Sequence, residues 1–196
     1  HDVRDEARWA QVVAETLNRF GRLDTLVNNA GLVRFGTVEA LSWDDYKLQT
    51  DVMAGGTFLG CKAALPHMSR DGSGSIINMA STAALMGYGN IPAYAASKAG
   101  IAGMTRSLAV DFQDKGYGIR VNALAPGGIE TPMVMGISGR GGEKPMDIPE
   151  GPLAMDALGH PKDVAGCVLF LASDEARFLN GLTIPVDNGL YARPHH

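Results

Sequence analysis

Apolar positions along the chain alternate between two spacings. Trp9, Val12, Val13, Leu17 and Phe20 recur at helical spacing from Glu6 to Phe20, and Gly21 follows where a left-handed C-cap belongs. Residues 23–28 form a short apolar run ending in Asn28-Asn29-Ala30-Gly31, which predicts a buried strand entering a tight turn. Ser42, with Asp45 three residues on, is placed to cap a long helical stretch running through Met53 and Phe58 to Met68, with a bend expected at Gly55-Gly56. Further compact strands are predicted at 74–80 and 118–124, the second stopped by Ala125-Pro126-Gly127-Gly128, and an Ala-rich helix at 94–112 separates them. Residues 133–157, rich in Gly, Pro and Met, show no period and are expected to form a mobile loop or lid with short helical pieces. A helix over Pro161–Ala172, with proline in its first turn, and a strand at 182–186 complete the pattern. Strands separated by helices long enough for crossovers imply a parallel sheet covered on both faces. No repeat or linker divides the chain, so residues 1–196 read as one α/β domain.

Composition narrows the function classes. The 196 residues are 45% apolar, sufficient for a continuous core, and the 25 glycines fall at segment ends without a repeating period. The net charge is −4, and the 17 Lys and Arg residues form no basic block, which argues against a nucleic-acid or membrane-surface partner recognised by charge. Apolar runs are interrupted before about 18 residues and the first residues are charged, so neither a membrane span nor an export signal is expected. Residue 1 is His and not Met. Cys61 and Cys167 lie far apart without a Cys-x-x-Cys or Cys/His cluster and read as small core residues in a reducing cytoplasm, with no metal site. His67 and His160 stand alone and read as surface or satisfied histidines, while His195-His196 is equally compatible with a native terminus and a purification tag.

Ser81, Tyr94 and Lys98 carry the strongest chemical signal. Tyr94 and Lys98 are four apart, about 40° around a helix axis and one turn along it, so they share a face. An ammonium held there stabilises a phenolate and is expected to lower the tyrosine pKa, fitting it for acid/base work. Ser81 ends a predicted strand, and ligands of open α/β sheets bind at the carboxyl ends of strands. Tyr-x-x-x-Lys alone occurs by chance on many soluble helices; its setting gives it weight.

Asn78-Met79-Ala80-Ser81 precedes Ala93-Tyr94-Ala95-Ala96-Ser97-Lys98-Ala99-Gly100, with Asn28-Asn29-Ala30-Gly31 upstream and Pro126-Gly127-Gly128-Ile129-Glu130-Thr131 downstream. In order and spacing, from Asp2 to the C-terminus, the chain resembles the short-chain dehydrogenase/reductase family. The resemblance implies a Rossmann-like, doubly wound parallel sheet in three α/β/α layers, and an oxidoreductase interconverting a secondary alcohol and a ketone with NAD or NADP. It implies that Tyr94 exchanges a proton with the substrate oxygen, that Lys98 lowers its pKa and binds the nicotinamide ribose, and that Ser81 holds the substrate oxygen. Asn28, Ala30 and Gly31 would line the adenosine side and brace the sheet. Pro126, Gly127, Ile129 and Thr131 would contact the carboxamide and pyrophosphate, and Asp2-Val3 resembles the strand end that touches adenine. Family members commonly pair through the helices matching 42–69 and 94–112, which implies a homodimer or homotetramer.

Two departures from the family pattern stand out. Met53 occupies the place of an Asn associated there with a water-linked proton relay to the lysine, and a thioether has no proton to donate. Asp51 is about 200° away on a helical wheel, whereas Thr57 lies one turn on. Either water alone keeps the relay open, or the enzyme is slowed or altered. The glycine-rich turn that brings backbone to the pyrophosphate is the second departure; neither Gly72-Ser73-Gly74 nor Gly139-Arg140-Gly141-Gly142 follows a strand and opens a helix. The chain is expected to begin where the family's third strand ends, two strand-plus-helix units or about 60 residues in, leaving Leu26 and Val27 on an exposed edge. A rival reading is a catalytically silent binding or scaffold protein, or a fragment without the phosphate cradle. Leu85, Met86, Ile91, Val134 and Met135 point toward a hydrophobic or cyclic alcohol, and Met133, Met135, Met146 and Met155 suit either an adaptable apolar cover over substrate or core filling. Cofactor preference is set at a second strand that these residues do not contain.

Overall fold

A computed structural model of the chain describes residues 1–137 and 157–193. Its elements are α1 (Glu6–Phe20), β1 (Thr25–Asn28), α2 (Trp43–Thr50), a π-helical turn (Asp51–Gly55), α3 (Gly56–Asp71), β2 (Gly74–Met79), α4 (Pro92–Asp114), β3 (Ile119–Pro126), α5 (Pro132–Ile137), α6 (Pro161–Ala172) and β4 (Thr183–Val186). The strands form one parallel sheet in the order β1-β2-β3-β4. Each element follows from its local sequence. Asp5 caps α1 by accepting from the amides of Ala7 and Arg8, and Gly21, at φ +77°, ends it.

Alternation along β2 fixes the layers. Ile76 packs with Cys61, Ala64 and Met68 of α3 and with Ala109 and Phe112 of α4, whereas Ile77 and Met79 face Leu171 of α6. Helices therefore cover both faces, as in a Rossmann-like fold. The α4 side also carries a buried polar chain. Asn28 Nδ2 donates to Asn78 Oδ1 at 2.8 Å, and Asn78 Nδ2 donates to Thr105 Oγ1 at 2.9 Å, tying β1, β2 and α4 together. On the other face Ser75 Oγ donates to the Leu171 carbonyl at 2.7 Å. Among the described residues β1 pairs on one side only, and Val27 there is 39% exposed.

Several sequence expectations need correction. The helical stretch from 43 to 71 is not simply bent at its glycine pair: a π-turn interrupts it, burying Met53 completely and bringing Gly56 against Val3. Phe20 keeps the helical spacing but lies exposed beside the C-cap. His160 is a satisfied histidine, as expected, but its partners make it a helix cap. Its side chain accepts from the Lys162 amide at 3.1 Å while its own amide donates to Asp163 Oδ2 at 2.7 Å, a capping box that starts α6. Of the expected lid, 133–157, the first residues belong to α5; 138–156, with Met146, Met155 and the Gly139–Gly142 stretch, lie outside the described residues, as does His195-His196. Among the described residues no helix is long and apolar enough to cross a membrane.

Candidate active site

β2 ends at Met79, and the chain leaves it through Ala80 and Ser81. Ser81 is extended, at φ −169° and ψ 160°, and caps a short 3-10 turn by accepting from the Ala83 amide at 3.2 Å. α4 crosses behind this strand end, so that Tyr94 in its first turn and Lys98 one turn later approach Ser81 from the same side. Ser81, Tyr94 and Lys98 line one cavity of about 690 Å³ at the carboxyl ends of the parallel strands.

Within it the tyrosine and lysine are held differently. Burial of the ring region pushes the Tyr94 pKa up, outweighing the neighbouring Ser81 hydroxyl, which favours the phenolate. The sequence reading expects a lysine-driven fall. The lysine charge is engaged elsewhere: Lys98 Nζ donates to the Met79 carbonyl at 2.6 Å and stands 5.6 Å from the Tyr94 ring centroid. Lys98 is 4% exposed, and desolvation lowers its pKa to about 8. The Met79 carbonyl is a partner that a side-chain reading does not reveal, since it is a backbone group placed by the strand.

Met53 reaches the same corner from the π-turn. A β-carbon on Gly31 would stand 3.6 Å from Lys98 Nζ and 3.7 Å from Met53 Sδ, so Gly31 keeps open the space between thioether and ammonium. Thr57 is buried and opens instead toward Asn28, Asn29 and Ala30.

Of the remaining sequence-predicted residues, Ala30, Gly31, Pro126, Gly127, Ile129 and Thr131 line the main cavity. Asn28 does not; it is committed to the buried Asn28–Asn78 hydrogen bond. Val3 borders a smaller cavity beside Trp9 and Gly56. Asp2 is exposed and turned onto Arg4, whose hydrogen bonds hold its carboxyl down at about 2. Val134 lines the cavity, whereas Leu85 packs in the cluster around Met53. Val164 and Val168 of α6 also line it; their spacing of four is the signal of an inward helix face.

Comparison with known proteins agrees with this geometry. Residues 1–191 match the family model described as enoyl-(acyl carrier protein) reductase. Trans-4-hydroxycyclohexanecarboxylate dehydrogenase of Sinomonas cyclohexanicum is 41% identical over 188 residues, covering 96% of this chain and 68% of that enzyme. A Burkholderia xenovorans protein solved as a short-chain dehydrogenase/reductase superposes with a TM-score of 0.88 at 36% identity, covering 99% of this chain and 74% of that one. The chain belongs to the short-chain dehydrogenase/reductase family. As such it is an oxidoreductase of the NAD(P)-dependent class. ElxO, solved with NADP bound, superposes with a TM-score of 0.85 at 31% identity over 98% of this chain and 77% of its own. The residues here fit such a group: the side-chain-free Cα of Gly31 and the Pro126-Gly127 backbone border a cavity whose one buried cation is Lys98 among the lining side chains described.

Proposed function

We propose that this chain, a single Rossmann-like domain, interconverts a ring-borne secondary alcohol and the corresponding ketone, with Tyr94 as the general acid/base. The observation that carries the reading is the convergence of Ser81, Tyr94 and Lys98 in one cavity at the strand ends. The bound nicotinamide supplies or accepts the hydride. Tyr94 takes the alcohol proton in oxidation and returns it to the carbonyl oxygen in reduction. Ser81 donates to the oxygen on which charge develops and keeps the tyrosine hydroxyl in line with it. Lys98, oriented by the Met79 carbonyl, keeps further N–H groups with which it would hold a ribose hydroxyl of the bound cofactor.

Ala30, Gly31, Pro126, Gly127, Ile129 and Thr131 then contact the cofactor, with Val3 and Asp2 toward its adenine end and Asn28 as a brace. A ring alcohol is favoured because Met133, Val134, Val164 and Val168 give the cavity an apolar wall, and because the Sinomonas relative is named for a hydroxycyclohexane substrate. We further infer a homodimer or homotetramer built on the α3 and α4 faces, and residence in a reducing cytoplasm, which suits the free thiols of Cys61 and Cys167.

The test is nicotinamide reduction by the protein produced from its own gene, with cyclohexanols as donors and NAD and NADP compared. Turnover is expected, and Tyr94→Phe is expected to lower kcat by about 10²–10⁴-fold while leaving cofactor binding in place. A protein that binds neither nucleotide returns the scaffold reading.

A further inference from the structure

Tyr94 lies in the first turn of α4, and helix ends are where local opening concentrates. That end carries no capping side chain: Ile91, at φ −138° and ψ 43°, is the N-cap residue and makes no side-chain cap hydrogen bond. Ser81, by contrast, is fixed to the end of a central strand. Something else must hold the start of α4 in register with β2.

Two residues upstream of the helix, Asn90 adopts a left-handed backbone at φ +62°, one of two non-glycine residues that do so among the described residues. This region disfavours side chains by roughly 1–2 kcal/mol, with Asn among the few that visit it. The Asn90 carbonyl accepts the Gly36 amide at 2.9 Å, from the loop between β1 and α2. Gly36 is itself confined, since a β-carbon there would lie 3.2 Å from the Leu41 backbone. Pro92 follows at the first helical position with its φ already set, and the Ala95 amide closes the first turn on the Ile91 carbonyl at 2.9 Å.

We propose that Asn90 is a positioning residue: its left-handed backbone, tied to Gly36, sets where α4 begins and so holds Tyr94 against Ser81. The role rests on the dehydrogenase reading above and adds to it a residue that touches neither substrate nor cofactor. Its signature is dependence on backbone conformation. Glycine adopts positive φ freely and preserves the tie, whereas a β-branched residue cannot keep that conformation without strain.

Asn90→Val is expected to lower kcat for alcohol oxidation by about tenfold, leaving the KM for NAD(P) within about twofold, because a misplacement of the order of 1 Å is enough for such a loss. Asn90→Gly restores kcat. Exchange of the Gly36 amide hydrogen, followed by NMR, accelerates in Asn90→Val and not in Asn90→Gly. If Asn90→Val does not fold, Asn90→Ala takes its place. An unchanged kcat in the strained variant, a kcat loss without faster Gly36 exchange, or an Asn90→Gly as impaired as Asn90→Val each overturns the proposal. Failure of the dehydrogenase reading is separate and shows as no turnover in the unmodified protein. Phenolate titration of Tyr94, taken as the difference from the matching Tyr94→Phe protein, then decides. It shifts in the strained variant as the burial of the ring and its distance from Ser81 change, and an unmoved titration sinks the proposal.

Discussion

Lys98 is a charged side chain held where charge is disfavoured, and its one fixed partner shown is a peptide carbonyl. Its pKa falls from 10.5 to about 8 in the folded chain. Below about pH 8 the lysine is protonated in both states and its burial opposes folding in full. Between the two values the unfolded chain holds the proton and the folded one releases it, so the contribution of this position to stability rises with pH. Thermal unfolding of the protein and of Lys98→Met, compared from neutral to alkaline pH, is expected to shift in favour of the lysine by up to about 3 kcal/mol; a constant difference would contradict the burial argument. Met53 fills the same corner with a group that offers Lys98 only a weak acceptor. Met53→Asn supplies a hydrogen bond worth ~1 kcal/mol and is expected to raise kcat about fivefold, and an unchanged kcat would show that water alone completes the relay. The partnership of Tyr94 and Lys98 is legible in the sequence because helical spacing puts i and i+4 on one face. The upward direction of the Tyr94 shift is not, because burial is set by the strand and loops packed around the ring and not by its neighbours in the chain.

At the scale of elements, the π-turn and the glycines after it decide how the N-terminal segment meets the sheet. Gly56 allows Val3 to approach α3, and Trp9 of α1 donates from Nε1 to the Val3 carbonyl at 2.9 Å. One helical turn on, Gly60 faces both Trp9 and Asn28: a β-carbon there would lie 3.0 Å from the indole ring and collide with Asn28 Oδ1. Gly60→Ala is therefore expected to destabilise the fold by about 1–3 kcal/mol, measured as a fall in the urea midpoint, although alanine is the better helix former. A midpoint that rose with helix propensity would show that α1 and α3 can separate freely. Most elements are legible from period and punctuation: Ser42 and Gly21 cap where the sequence places them, and the structure adds Asp5 and Gly72, residue types that suit their cap positions. The π-turn escapes a reading based on 3.6 residues per turn, because one added residue changes no side-chain type and shows only in register. His160 escapes as a cap because the signal is sought in Ser, Thr, Asp and Asn.

On the scale of the whole molecule, the parallel sheet and its two covered faces are legible because strand and helix signals alternate at crossover lengths. What lies beyond the sheet's own helices is written on the surface. Phe58 on α3 and Val110 on α4 are 51% and 60% exposed, on the two helices whose opposite faces build the core around Cys61, Met68 and Phe112. A helix with an apolar residue on each side suits a second packing layer, and a homo-oligomer supplies one by symmetry. A competing surface lies over the opposite face of the sheet, where Leu169 of α6, and Phe178 before β4, are also exposed. The two surfaces make different predictions. If α3 and α4 form the interface, Phe58→Lys with Val110→Lys places charges at the centre of the buried patch and lowers the sedimentation mass toward the monomer, while Leu169→Lys leaves it unchanged. The reverse result would move the interface to the α6 side, and a wild-type protein that sediments as a monomer at all concentrations would remove the need for either.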